Sequence, residues 1–209
     1  MDIKKTANLL LNFTLKRLAE ISGIVISSAG ILLFIALFSY SPEDPNFIFP
    51  KNTEIKNLLG FRGSFISDLL FQSVGFVSYL ISITLIITGI NIFRKKDFFL
   101  IIENIFFTIL YSIFGTLLLS YYHLNNFILY INGSGGFVGI YLNETFLKSL
   151  ILINENIFYY ILLFIILSLF LISINFHLIK FFNFVKKFIN YFSKSKEKNY
   201  TNKDEIINE

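Results

Sequence analysis

Apolar positions along this chain fall in long uninterrupted blocks. Residues 21–39 carry no charge over 19 positions, and residues 69–93 are uncharged as well. A third apolar block covers 98–122, with one carboxylate, Glu103, near its start, and a fourth covers 157–179. At a rise of about 1.5 Å per residue, each block in helical form reaches across a hydrocarbon core of roughly 30 Å. The pattern predicts an all-α integral membrane protein with four transmembrane helices. A fifth span between 124 and 153 is disfavoured by Asn125, Asn126, Asn132, Gly133, Gly135, Gly136, Asn143, Glu144 and Lys148. A lipid-facing helix broken at those glycines would leave backbone groups without partners. That stretch reads as a loop followed by an amphipathic helix on the outer membrane face, before span four.

Polar blocks between the spans set the orientation. Lys4, Lys5, Lys16, Arg17, Arg94, Lys95, Lys96, Lys180, Lys186, Lys187, Lys194, Lys196, Lys198 and Lys203 fall on one side, fourteen in all. Lys51, Lys56, Arg62 and Lys148, four in all, fall on the other. The positive-inside rule then predicts both termini in the cytoplasm, and a fifth span would put the lysine-rich tail outside. The organisation expected is a cytoplasmic basic segment over 1–20 and a four-span domain over 21–180. Within that domain, outer loops cover 40–68 and 123–156, and an inner loop covers 94–97. The first block is longer than a signal-peptide core and lacks a small-residue cleavage site, so it reads as an uncleaved anchor. Leu178, Phe181, Phe182, Val185, Phe188, Ile189 and Phe192 form a helical stripe opposite Lys180, Lys186 and Lys187. This predicts a basic amphipathic helix over 181–192, lying in the headgroup layer or continuing span four inward. Residues 193–209 are polar and charged, a disordered tail or the start of a linker.

Composition sharpens this picture and removes several chemistries. The 209 residues are 55% apolar and only 15% charged, against about 25% charged in soluble domains. There is no cysteine, so disulfides, thiolate metal sites and cysteine nucleophiles are excluded. The two histidines, His123 and His177, fall at opposite ends of the predicted spans and cannot share a metal. No cofactor or metal is expected. The isoelectric point near 9.1 reads as orientation and contact with anionic lipid. The basic tail has no helix-turn-helix or aromatic platform, so any contact with nucleic acid would be unspecific and salt-sensitive.

Signatures for catalysis are missing. No G-x-x-x-x-G-K-[ST] occurs, and the Gly-rich patch over 133–139 lacks the lysine of a phosphate loop. Glu103 reads as an interfacial carboxylate near Lys95 and Lys96, with an intramembrane ion-path role as the alternative. Small residues recur at packing intervals: Gly23, Ser27 and Gly30 in span one, and Gly75, Ser78 and Ser82 in span two. They suit close helix approach within one bundle or between copies. Between spans one and two, Pro42 and Pro45 bracket Glu43 and Asp44 and force a helix exit. Gly60 and Gly63 permit a turn, and Ser64 suits the cap of a helix leading into span two.

The run Phe38-Ser39-Tyr40-Ser41-Pro42 with Asp44-Pro45 is followed by Asn57-Leu58-Leu59-Gly60 and by Ser67-Asp68-Leu69-Leu70. After span three comes the run 133–139, with Gly135, Gly136 and Gly139. In order and placement these closely resemble the N-terminal four-span membrane domain of the bacterial cell-division DNA translocase FtsK, over roughly residues 15–180. The resemblance implies an inner-membrane anchor at the division septum, acting in cell division and chromosome partition. It implies contact with the lipid bilayer and with other division-machinery membrane proteins, and assembly into a homo-oligomer. In that family DNA is handled by a hexameric ATP-driven motor, and no residue of this chain matches one. The chain is then a fragment ending in the linker or a membrane-only relative, and no enzymatic activity is expected of it. The alternative is a small transporter or channel using Glu103, against which stands the lack of internal repeats and of proline or charge at mid-span.

Overall fold

The computed structural model describes residues 3–45, 54–122, 132–147 and 155–177, and also Asn183, Lys186, Lys187 and Asn190. Every element among the described residues is helical: α1 (Ile3–Phe38), α2 (Gly60–Val74), α3 (Val77–Lys95), α4 (Phe99–Tyr122), α5 (Gly136–Leu142) and α6 (Glu155–Ser173), with one π-helical turn at Asn143–Leu147. All of them belong to a unit that ends at Ile174. A second unit, Asn175–Glu209, is described at only a few positions. The basic helix expected over 181–192 therefore lies, apart from four residues, outside the described residues, and so does the tail over 193–209. Among the described residues, Ala7–Phe38, α3 and α4 are long and apolar enough to cross a membrane, and Ile157–Ser173 of α6 is a shorter apolar helix.

Four boundaries differ from those read off the sequence. Residues 3–20 continue the first span as one helix of 36 residues, roughly 54 Å long and well beyond the hydrocarbon thickness. The uncharged run 69–93 is two helices, because Gly75 adopts φ 61° and ψ −142° and closes α2 with a backbone bond to the Phe71 carbonyl. That conformation is open essentially to glycine alone. The helix start near Ser64 is also displaced: α2 begins at Gly60, and Ser64 lies buried inside it with its hydroxyl donating to the Pro45 carbonyl at 3.2 Å. At the fourth block α6 stops at Ser173, short of 179. Asn175 stands in the left-handed region, at φ 52°, a conformation asparagine tolerates at helix ends.

Much of the helix packing runs through polar and small residues, and many large apolar side chains face outward. On α4, Phe99, Ile102, Phe106, Ile109 and Ile113 are exposed, while Leu100, Asn104, Tyr111 and Gly115 are buried. In lipid no hydrophobic drive separates these faces, so association rests on close contact and internal hydrogen bonds. Both are present. A Cβ added at Gly23 would come within 2.7 Å of the Gly89 carbonyl oxygen, and one added at Gly30 within 2.7 Å of the Ile86 amide nitrogen. α1 and α3 thus meet almost backbone to backbone. Across α3, α4 and α6 runs a hydrogen-bonded ladder. Thr84 pairs with the Tyr111 hydroxyl at 2.9 Å, Asn104 donates to Thr88 at 2.8 Å, Thr108 pairs with Ser173 at 3.2 Å, and Asn91 donates to the Ile174 carbonyl at 3.2 Å.

Candidate functional site

The end of the bundle where α1 stops gathers most of the motif residues. Proline at 42 cannot continue a helix, and the chain turns at 41–45, bringing Asp44 inward. Its carboxylate, 3% exposed, accepts the backbone N–H of Lys56 at 2.8 Å and of Asn57 at 2.9 Å, one on each oxygen. Asn57 is buried and donates its side-chain amide to the Ala36 carbonyl at 2.8 Å and the Ser39 carbonyl at 3.3 Å, two of the orphan acceptors at a helix C-terminus. Its own side-chain oxygen accepts the Leu59 N–H, and Ser39 accepts the Leu58 N–H through its hydroxyl. Outside this clasp, Glu43 pairs with Lys56 and holds that exposed ammonium above its ordinary pKa. Phe38 and Leu58 are the motif residues left most open to the surroundings, at 75% and 73% exposure.

α2 lies across this end through Phe71, which is buried against Leu37 and packs its ring against Tyr40, Phe76 and Tyr79. Tyr79 donates its hydroxyl to the Leu37 carbonyl at 3.0 Å, another cap on α1. Tyr40 donates its hydroxyl to Asp68 at 3.0 Å. Burial pushes the Tyr40 phenol well above its usual range, and the neighbouring Asp68 charge adds to the effect. Asp68 is 7% exposed.

The hinge between α2 and α3 is clamped from the Gly-rich loop. Phe76 donates its backbone N–H to the Ser134 carbonyl at 3.0 Å, and Ser134 donates its hydroxyl to the Leu119 carbonyl at 3.0 Å. Asn132 donates to the backbone and side-chain oxygens of Gln72 at 3.3 and 3.2 Å. A side chain at Gly75 would overlap the Ser134 carbonyl, and one at Gly135 or Gly139 would overlap the Thr116 carbonyl. Gly136, at φ 67°, comes as close to the Ser73 backbone. The motif glycines are where three backbones touch, which explains their spacing.

Packing residues named from the sequence divide between two places. Gly23, Ser27 and Gly30 face α3 at Gly89 and Ile86. Gly75 belongs to the hinge, while Ser78 and Ser82 are buried on α3 and turn their hydroxyls back to the Gly75 and Tyr79 carbonyls. Glu103 is exposed on α4, and the buried polar position is its neighbour Asn104. His177 is exposed, and His123 lies outside the described residues. Midway along α1, Glu20 bonds both Arg17 and Lys96, tying α1 to the end of α3. The sequence gives this carboxylate little signal, since it directly precedes the charge-free block. The thread of Thr84, Thr88, Asn104, Thr108 and Tyr111 was also missed, although its spacing of three to four residues was visible.

Comparison with known proteins gives the site a context. A family model described as the 4TM region of DNA translocase FtsK/SpoIIIE matches residues 15–186. The DNA translocase FtsK of Rickettsia typhi is 29% identical over 174 residues, which is 81% of this chain and 22% of that protein. The DNA translocase FtsK of Azospirillum brasilense is 31% identical over 86 residues, 40% of this chain and 14% of its own length. That of Pseudomonas putida is 30% identical over 81 residues, 38% of this chain and 10% of its own length. The chain therefore spans less than a quarter of these curated relatives. No solved structure matches it.

Proposed function

The chain belongs to the family of the four-span membrane region of the FtsK/SpoIIIE DNA translocases, and from that membership we propose that it anchors such a translocase in the bacterial inner membrane at the division septum and docks other division proteins there. The observation that carries this reading is the match over residues 15–186, joined to where the motif residues sit. Asp44 with Asn57, Tyr40 with Asp68, and Phe76 with Ser134 tie the segments at one end of the bundle together through hydrogen bonds. A rigid polar end on an apolar bundle suits a docking platform better than a conduit. The excess of Lys and Arg that the span pattern assigns to one side, fourteen against four, supports both termini in the cytoplasm and the motif end facing outward.

Self-assembly belongs to the same reading. Gly23, Ser27 and Gly30 are occupied within the chain by α3, so contacts between copies would use other faces. The exposed row Phe99, Ile102, Phe106, Ile109 and Ile113 of α4 is one. DNA is reached only through a motor, to whose nucleotide loop no residue of this chain corresponds. The transport alternative required Glu103 to act inside the membrane, and no feature of the structure favours that role.

A fluorescent copy of residues 1–209 is expected to concentrate at the division site of growing cells that hold their other division proteins. An even distribution around the membrane would overturn the septal role.

A further inference from the structure

Two carboxylates are buried at the motif end, and they are satisfied very differently. Asp44 has a backbone N–H on each oxygen. Asp68, withdrawn at 7% exposure, receives among the described residues one neutral hydrogen bond, from the Tyr40 hydroxyl at 3.0 Å. Among the described residues no ion pair reaches it. A carboxylate held out of water with one hydroxyl as partner is costly unless a cation completes it. Asp68 also lines a cavity of about 360 Å³ between α2 and α5. Phe65, Leu69 and Phe137 form its apolar walls, and Gln72 and Asn132 add amides at its edge.

We propose that this cavity is a receptor site for one basic side chain, a lysine or arginine, presented by a partner protein on the same side of the membrane, with Asp68 as the counter-charge. The volume is at the small end of ligand pockets, roughly 300–1,000 Å³, and gives room for one extended side chain. Apolar walls suit the methylene stem of such a residue, and the Phe65 and Phe137 rings suit a planar guanidinium. A zwitterionic lipid headgroup fits less well. It would bring a phosphate beside Asp68, and the walls hold no cation for it; Arg62 lines a different cavity. This inference rests on the reading of the chain as a docking module and supplies the chemistry of one dock. The two fail separately, since the binding test below does not depend on where the protein lies in the cell.

The experiment uses the full chain in phosphatidylcholine nanodiscs, with butylguanidinium and acetyl-arginine amide as probes read by ligand-observed NMR. Saturable binding is expected in the native chain and in Glu103→Gln, the control for an exposed carboxylate. Asp68→Asn keeps an oxygen for the Tyr40 hydroxyl and removes the charge, and should bind about ten-fold more weakly or worse. Should Asp68→Asn not fold, Leu69→Trp fills the cavity from an exposed position and should abolish binding. No binding in the native chain, or equal binding in native, Asp68→Asn and Leu69→Trp proteins, overturns the proposal. Loss of probe binding when phosphatidylethanolamine replaces phosphatidylcholine would assign the site to a lipid ammonium and overturn the partner reading.

Discussion

The side-chain amide of Asn57 donates to the carbonyl of Ala36 at 2.8 Å, across 21 residues of sequence. One buried amide thereby caps the first span from a loop that returns to it. Asn57→Ala leaves the Ala36 and Ser39 carbonyls and the Leu59 N–H short of partners in a water-poor site. The expected loss is about 1–3 kcal/mol. Asn57→Asp should cost more, since it sets a carboxylate against two carbonyls and beside Asp44. Thermal unfolding of the purified chain in micelles measures both, and an Asn57→Asp protein as stable as the native one would refute the cap.

Two glycines in left-handed geometry separate steric need from conformational need. Gly60 at φ 64° has nothing within 4 Å of where a Cβ would stand, while the place of a Cβ at Gly75, φ 61°, is taken by the Ser134 carbonyl. Gly60→Ala should therefore cost only the conformational penalty, roughly 1–2 kcal/mol. Gly75→Ala must also push the Gly-rich loop off the hinge and break the bond from Phe76 to Ser134. Its melting temperature should fall much further than that of Gly60→Ala. Equal shifts in the two variants would mean that the loop does not clamp the hinge.

The spans were legible because lipid demands long charge-free blocks, and such blocks are visible without any tertiary knowledge. The hinge was not. Gly75 stands in an apolar run like any small packing residue, and its conformation depends on Ser134, 59 residues away. The motif residues were recognisable by resemblance, but their roles came only with the fold, which pairs Asp44 with Asn57 and Tyr40 with Asp68. Glu20 is inconspicuous as the residue before a charge-free block, and the hydroxyls and amides inside the blocks carry no charge to mark them.

Those uncharged polar groups yield the sharpest contrast on α4, between neighbours 103 and 104. Asn104 is 1% exposed and donates to Thr88 at 2.8 Å, whereas Glu103 is exposed. Hydrogen bonds between membrane helices are worth about 0.6 kcal/mol on average and up to about 1.7, and a buried bond between two side chains belongs in the upper part of that range. Asn104→Ala should therefore lower stability by about 1–2 kcal/mol, and Glu103→Gln by less than about 0.5, as for surface substitutions. A double-mutant cycle with Thr88→Val isolates the pair, read as unfolding in mixed micelles. Coupling between positions 88 and 104 is expected. A larger effect at Glu103 than at Asn104, with no coupling between 88 and 104, would show that the carboxylate and not the ladder holds α4 in place.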